Sequence, residues 1–205
     1  FINNVDNSPK QLVYLNFDGG VSTKTDFGNV DVSTFDAADL STPLDGQTDV
    51  LINGGAGVFG VVENILEIYN AIPPSLEAAL DETLTVQLLG ADLSPFFDPN
   101  AEGLFFTTVN PALGGLDPNS DFARIFIGET DTVQLGLLGL ASHVDVANMD
   151  KADEAIIFVE SFRSIVSPEI TTTNPAEALN QHSRALANVI AHELGHLLGM
   201  NHTEG

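Results

Sequence analysis

The chain of 205 residues contains no cysteine. Disulfides therefore cannot stabilise it, and no thiolate is available as a metal ligand. The absence of cysteine also leaves undetermined whether the protein works in an oxidising or a reducing compartment. The sequence also lacks a run of about eighteen apolar residues and a basic segment followed by an apolar one at its amino terminus, where the first residue is Phe1. The sequence therefore predicts that the chain has no transmembrane helix and no signal peptide, and we expect a soluble, processed chain.

Basic residues are scarce as well. Six Lys and Arg stand against 29 Asp and Glu, which gives a formal net charge of −23. Such a charge repels nucleic acids and anionic membrane surfaces, so both are excluded as partners. The acidic residues are scattered and match no EF-hand loop, and we interpret most of them as a solvated surface rather than as a trap for basic substrates or calcium. The oxygen-rich segment 92–102 stays a candidate for a structural Ca²⁺ ion.

Several catalytic motifs are missing too. There is no Gly-x-Ser-x-Gly and no glycine-rich phosphate loop, so serine hydrolases and phosphate-binding enzymes have no support. What the chain does have is histidine near its carboxyl end, where three of the five histidines fall within residues 192–202.

The spacing of these histidines predicts a metal site. On a helix, His192 and His196 project from one face about 6 Å apart, so both rings can reach one Zn²⁺ ion. Glu193 is poorly placed to bind the same metal but can take a proton from a water bound to it. Gly199 can adopt the left-handed conformation that ends a helix, and the turn then brings His202 in as a third ligand. Three imidazoles leave one tetrahedral position for water, which predicts a catalytic zinc and hydrolysis of an amide.

These five residues fill every fixed position of His-Glu-x-x-His-x-x-Gly-x-x-His, and the stretch resembles the zinc signature of the metzincin peptidases. The resemblance implies a zincin-like catalytic domain of the α/β (α+β) class. Its twisted, mixed, mostly parallel sheet would have an antiparallel edge strand, with one helix after the first strand and a long active-site helix. The implied activity is that of a zinc-dependent endopeptidase acting on peptides or proteins with Glu193 as general base. Shorter patches at 14–20 and 105–111 resemble secreted bacterial members, which favours an extracellular location.

The chain departs from the metzincin pattern in one respect. Metzincins continue past the third histidine into a lower subdomain with a methionine-containing turn beneath the metal, whereas the only methionines here, Met149 and Met200, cannot serve in that turn. We therefore interpret residues 1–205 as the upper, amino-terminal catalytic subdomain. The lower one would come from a longer parent chain or from a separate carboxy-terminal segment of the same precursor. The alternatives are a minimal metal protein, an inactive peptidase fragment, or a non-catalytic, metal-stabilised binding domain of a larger secreted protein.

Hydrophobic patterning predicts the remaining elements. Strands are expected at 11–17, 104–109, 123–128 and 155–159, the last a central parallel strand buried on both faces. The metzincin resemblance implies an antiparallel edge strand at about 135–144. Helices are expected at 58–72 and from Asn174 to 198, with a further turn at 75–80. Residues 84–89 suit a strand or a helix, and 21–49 read as a long surface loop with one short strand.

Two faces of the long helix from Asn174 are expected to have different roles. One face should pack on the sheet, and the neighbouring one should present Val189, His192, Glu193 and His196. The packing face consists of Leu179, Leu186, Ile190, Leu194 and Leu197.

For four other residues, a structural role is favoured over a role in the metal site. His143 and His182 are interpreted as isolated surface histidines, and His182 lies about 15 Å from His192 along the helix, too far to share its metal. Tyr14 and Tyr69 are interpreted as packing residues rather than as stabilisers of an oxyanion.

Overall fold

Most strands of the chain lie in one sheet. A computed structural model describes residues 10–25, 28–55, 57–70, 86–98, 103–131, 136–144 and 150–200. The strands are β1 Lys10–Asn16, β2 Gly20–Thr25, β3 Gly28–Val32, β4 Val86–Leu89, β5 Gly103–Thr107, β6 Ala123–Gly128, β7 Gly139–Ala141 and β8 Glu154–Phe158. The α-helices are α1 Ala37–Leu40, α2 Thr48–Asn53, α3 Val61–Asn70, α4 Ser94–Phe97, α5 Val159–Ile165 and α6 Pro175–Leu197.

The larger sheet has the strand order β4-β5-β1-β6-β8-β7, and β7 is antiparallel to β8 while the other neighbours are parallel. This confirms the predicted α/β class with a mostly parallel mixed sheet and an antiparallel edge strand. β8 is buried along its whole length, as predicted for a strand covered on both faces. It lies next to the edge, however, and β1 and β6 occupy the centre.

Alternate side chains of the sheet enter two different cores. On one face Val13 and Leu15 of β1 pack with the buried residues of α1, α2, α3, α5 and α6. On the other face Leu12 and Tyr14 pack beneath the segment around α4, and Val30 of the β2–β3 hairpin packs against β6 and β8. The long helix α6 therefore approaches the sheet from the same side as α3.

The stretch predicted as a long surface loop, 21–49, is instead divided into short elements. It holds most of the β2–β3 hairpin, all of α1 and the start of α2. α1 begins with a capping box, in which the Asp36 side chain accepts a hydrogen bond from Ala38 N and the Asp39 side chain accepts one from Asp36 N. Elements of four to six residues are too short for an apolar period to stand out among turn residues, so the loop prediction is wrong.

The other predicted elements are confirmed where the structure describes them. β1, β5 and β6 match the expected strands, and residues 86–89 of the ambiguous segment form β4. α3 lies inside the predicted 58–72, although positions 71–72 and the turn expected at 75–80 fall outside the described residues. Among the described helices, none combines the length and the apolar character needed to cross a membrane.

The candidate calcium segment is only partly described. α4 lies within it, and Asp92 Oδ1 accepts a hydrogen bond from Ser94 N at 2.9 Å. Residues 99–102 fall outside the described part of the chain. A calcium ion in this segment therefore stays a prediction.

A buried carboxylate fastens the β2–β3 hairpin to the sheet. The side chain of Glu154 is fully buried, and Oε2 accepts hydrogen bonds from Ser22 Oγ at 2.8 Å, Thr23 N at 2.7 Å and Lys24 N at 3.1 Å. Oε1 forms an ion pair with Arg124 Nη2. These donors compensate the charge that burial would otherwise make costly. The acid at the start of β8 thus holds the hairpin over the sheet.

We predict that Glu154→Ala lowers the free energy of unfolding by about 3–5 kcal/mol, because the partly buried Arg124 loses its carboxylate. The same change at the more exposed Glu129, which pairs with Arg163, should cost about 1 kcal/mol or less. Urea unfolding of the two variants measures the difference. Equal losses would contradict an anchoring role for Glu154.

His182 lies inside the protein, so its interpretation as a surface residue is wrong. The residue is 3 % exposed, and its ring faces Phe162 with centroids 6.5 Å apart. Nδ1 lies 2.8 Å from Ala178 O, and because a carbonyl oxygen only accepts, Nδ1 is the nitrogen that carries the proton. Nε2 is buried and has no hydrogen-bond partner among the described residues. Burial lowers the pKa of His182, since the imidazolium form would lose its hydration.

The lowered pKa of His182 should make stability depend on pH. The unfolded chain takes up this proton near pH 6.5, and the folded protein only at lower pH. Below about pH 6.5 the unfolded state therefore binds more protons, and acid destabilises the fold. We predict that His182→Leu removes this component and leaves the part due to carboxylates. Urea unfolding from about pH 7.5 to 5 measures it, and identical pH profiles for variant and parent would refute the assignment.

Candidate metal centre

Helix α6 carries the histidine motif, and its packing sets the direction in which the motif faces. Asn174 caps the helix, because its side chain accepts hydrogen bonds from backbone N–H groups of the first turn. The predicted packing face is buried in the main core. That contact fixes the rotation of α6, so His192, Glu193 and His196 lie beside β7 at the edge of the sheet.

The two histidines of the helix lie side by side. The Nε2 atoms of His192 and His196 are 3.3 Å apart, and the rings are nearly perpendicular, with an interplanar angle of 85°. Two nitrogens bound at 2.0–2.1 Å to a tetrahedral Zn²⁺ ion would be about 3.3 Å apart. The same distance also suits a hydrogen bond between the rings. The donor types and their spacing therefore fit a shared zinc ion.

A hydrogen bond on the far side of one ring selects the nitrogen that can bind metal. His196 Nδ1 lies 2.8 Å from the carbonyl oxygen of Met200. The carbonyl only accepts, so Nδ1 donates, and in the neutral ring Nε2 keeps its lone pair. That lone pair is on the atom facing His192. Hydrogen bonds of this kind commonly orient metal-binding histidines.

The turn after α6 has the geometry that the glycine predicts. Gly199 has φ +91°, its N–H donates to His196 O at 3.0 Å, and Met200 N donates to Gly195 O at 2.8 Å. This pattern is a Schellman motif with glycine in the left-handed position. The predicted helix end at Gly199 is confirmed. The same turn places the Met200 carbonyl oxygen on His196.

The third predicted ligand, His202, lies outside the described residues. Over the described part of the chain, no group of three or more His, Cys, Asp or Glu side chains is arranged to hold a metal ion. Two of the three predicted ligands therefore lie together, while the assignment of His202 depends on its sequence spacing.

Glu193 lies against the edge strand. The residue is 7 % exposed, and a Cβ added to Gly139 of β7 would fall 2.5 Å from Glu193 Cγ and 2.8 Å from Oε1. No side chain larger than hydrogen fits there without displacing the carboxyl group. Gly139 is a residue of the candidate site that the sequence patterns above do not identify. Its only signal was an isolated glycine within a strand pattern, which often marks a close approach.

A cavity of about 730 Å³ opens between β7 and α6. His192, Glu193 and His196 form part of its wall, and the edge strand forms the opposite part. The remaining lining residues are mostly apolar; they include Leu137, Leu138, Leu140, Val144 and Val189. The predicted edge strand thus borders the candidate site, as Gly139–Ala141 within the described part of 135–144.

His143 is exposed, as predicted, but it is not isolated, because it also lines this cavity. Its Nδ1 lies 3.2 Å from Ser142 Oγ, and its Nε2 lies 3.5 Å from Oδ1 of the buried Asp153. These contacts connect the end of the edge strand to the start of β8. His143 therefore contributes to the wall of the cavity opposite α6.

The two tyrosines act in packing, as predicted. The Tyr69 hydroxyl of α3 donates to Ala191 O at 3.0 Å, directly before His192, and burial raises the pKa of Tyr69. The Tyr14 hydroxyl contacts Asn16 Oδ1 and Asp18 Oδ2, each at 3.2 Å. Burial and the nearby Asp18 carboxylate raise the pKa of Tyr14. Tyr69 in addition fixes the backbone of the histidine motif, which sequence spacing did not predict.

We predict that Gly139→Ala lowers the free energy of unfolding by about 1–3 kcal/mol, because the new methyl group collides with Glu193. Most of this loss should vanish when Glu193 is also changed to Ala, since the two positions are in contact. Gly90→Ala is the control, because a Cβ there meets nothing within 4 Å. Urea unfolding of the single and double variants gives the coupling. An additive double variant would show that the two residues do not constrain each other.

Comparison of the chain with protein-family models, with curated proteins and with solved structures found no match. The case for a metal site therefore depends on the residues of this chain and their geometry.

Proposed function

We propose that the chain is the catalytic part of a zinc-dependent endopeptidase. His192, His196 and His202 would hold the Zn²⁺ ion, and Glu193 would be the general base. The observation that carries the proposal is the 3.3 Å separation of the two Nε2 atoms next to a buried carboxyl group on the wall of an open cavity. Zinc with imidazole ligands would supply a Lewis acid that polarises the peptide carbonyl and makes water more acidic.

The chain's own residues would move the proton and hold the ligands. Glu193 takes the proton of the attacking water and passes it to the leaving amine. The contact with Gly139 keeps its carboxyl group at one place on the cavity wall. The Met200 carbonyl keeps the His196 lone pair on Nε2. Tyr69 supports the same segment through its bond to Ala191 O.

The edge strand supports a peptide as substrate. Among the described strands only β8 pairs with β7, and β7 borders the cavity, so an extended peptide can add to its other side through backbone hydrogen bonds. The apolar lining suits uncharged side chains. The net charge of −23 disfavours nucleic acid and anionic membranes as partners. The proposal includes a secreted, extracellular protein.

The test compares Glu193→Gln with the parent chain. We expect the variant to bind zinc with unchanged stoichiometry and to lose about 10²- to 10⁴-fold in kcat, because the base is gone while the histidines remain. Glu169→Gln is the matched control, since this exposed carboxylate lies outside the cavity. Peptide turnover and zinc content are measured on the same samples. A Glu193→Gln variant as fast as the parent would overturn the assignment of the base.

A non-catalytic, metal-stabilised binding domain is the second candidate. The observation in its favour is that the 3.3 Å spacing of the His192 and His196 Nε2 atoms would also suit a zinc ion that only stabilises the fold. Such a domain would gain stability from zinc by mass action, but it would cleave no peptide. A peptide library incubated with the zinc-loaded chain distinguishes the two functions.

A further inference from the structure

Arg184 differs from the other cationic residues of the chain. The sequence has six Lys and Arg, and all of them are among the described residues. Lys24, Arg124 and Arg163 form ion pairs, Lys10 donates to a backbone carbonyl, and Lys151 also has a polar or electrostatic contact. Arg184 is exposed and has neither a hydrogen bond from its side chain nor an ion pair with the described part of the chain.

The position of Arg184 connects it to the candidate site. It lines a crevice of about 180 Å³ between α3 and α6, together with Asn64, Glu67, Ile68 and Asn188. Asn188 also lines the large cavity, so the two depressions meet at this residue. The crevice and the cavity that contains His192 are thus neighbours along α6.

The helix repeat gives the distance between the two ends. Arg184, Asn188 and His192 are successive four-residue steps on one face of α6. Eight residues of α-helix span about 12 Å. An extended peptide covers that distance with about three to four residues, at roughly 3.3 Å each.

We propose that Arg184 determines specificity by binding an acidic side chain of the substrate three to four residues from the scissile bond. A guanidinium binds a carboxylate through paired N–H donors, and no carboxylate of the described chain occupies that role here. The rest of the surface is strongly acidic, so an acidic substrate residue would be favoured at this crevice and disfavoured elsewhere. The inference rests on the proposed endopeptidase function.

Glu67 on the α3 wall of the crevice opposes this preference. It lines the same depression but forms no ion pair with Arg184. A substrate carboxylate would be attracted by the guanidinium and repelled by Glu67. Removing the Glu67 charge should therefore strengthen the preference, while removing the Arg184 charge should abolish it.

The experiment uses the zinc-loaded chain and peptides that differ only by Glu, Gln or Lys at one position, scanned over four positions on each side of the cleaved bond. We expect kcat/KM to favour Glu by about two- to fivefold at a position three or four residues away, the range of a partly exposed ion pair. An ionic strength of about 0.15 M screens charges beyond roughly 8 Å and leaves the direct contact. Arg184→Gln should remove the preference, Arg184→Glu should transfer it to Lys, and Glu67→Gln should increase it.

Arg163→Gln is the matched control, because Arg163 pairs with Glu129 outside the cavity and should not change the Glu to Gln ratio. Cleavage without a Glu preference, or with one that Arg184→Gln leaves intact, overturns this inference and leaves the peptidase proposal standing. Absence of cleavage of every peptide overturns the peptidase proposal, and this inference with it.

Discussion

The packing of α6 against the sheet is the constraint on which the candidate site depends. The apolar residues of this helix are buried against β6, β7 and β8, and that burial fixes the rotation of the helix about its axis. With 3.6 residues per turn, His192 and His196 then appear on the face next to the buried one. Glu193 lies between the two faces, which is why a carboxyl group of the motif is buried while His192 is exposed.

The edge strand supplies the second half of the arrangement. β7 is only three residues long, and Ser142 N extends its ladder by donating to Glu154 O at 2.8 Å. Its glycine lets the strand come close enough to α6 to restrain Glu193. The same strand lines the cavity. The short strand β7 and its glycine, Gly139, therefore determine the shape of the site together with the histidine motif.

The sequence predicted the features that have a long period or a fixed spacing. The 23-residue helix, its Asn174 cap, the helix end at Gly199 and the apolar strands were all accessible in this way. The elements within 21–49 were not, because each is too short to show a period. The burial of His182 is not predictable in this way, because a single histidine on a helix with mixed polar and apolar residues does not indicate which side of the helix is buried. The contacts of Glu193 with Gly139 and of Tyr69 with Ala191 O join distant parts of the chain, so no local pattern could predict them.

The central claim is that imidazole nitrogens of this chain hold zinc, and X-ray absorption at the zinc edge tests it most directly. The chain would be loaded with one equivalent of zinc and compared with the His192→Ala, His196→Ala double variant. We predict nitrogen ligands at about 2.0–2.1 Å with the multiple scattering of imidazole, and the loss of both in the double variant. A shell of oxygen atoms alone, unchanged in the double variant, would place the zinc on the carboxylates of this acidic surface and contradict the account.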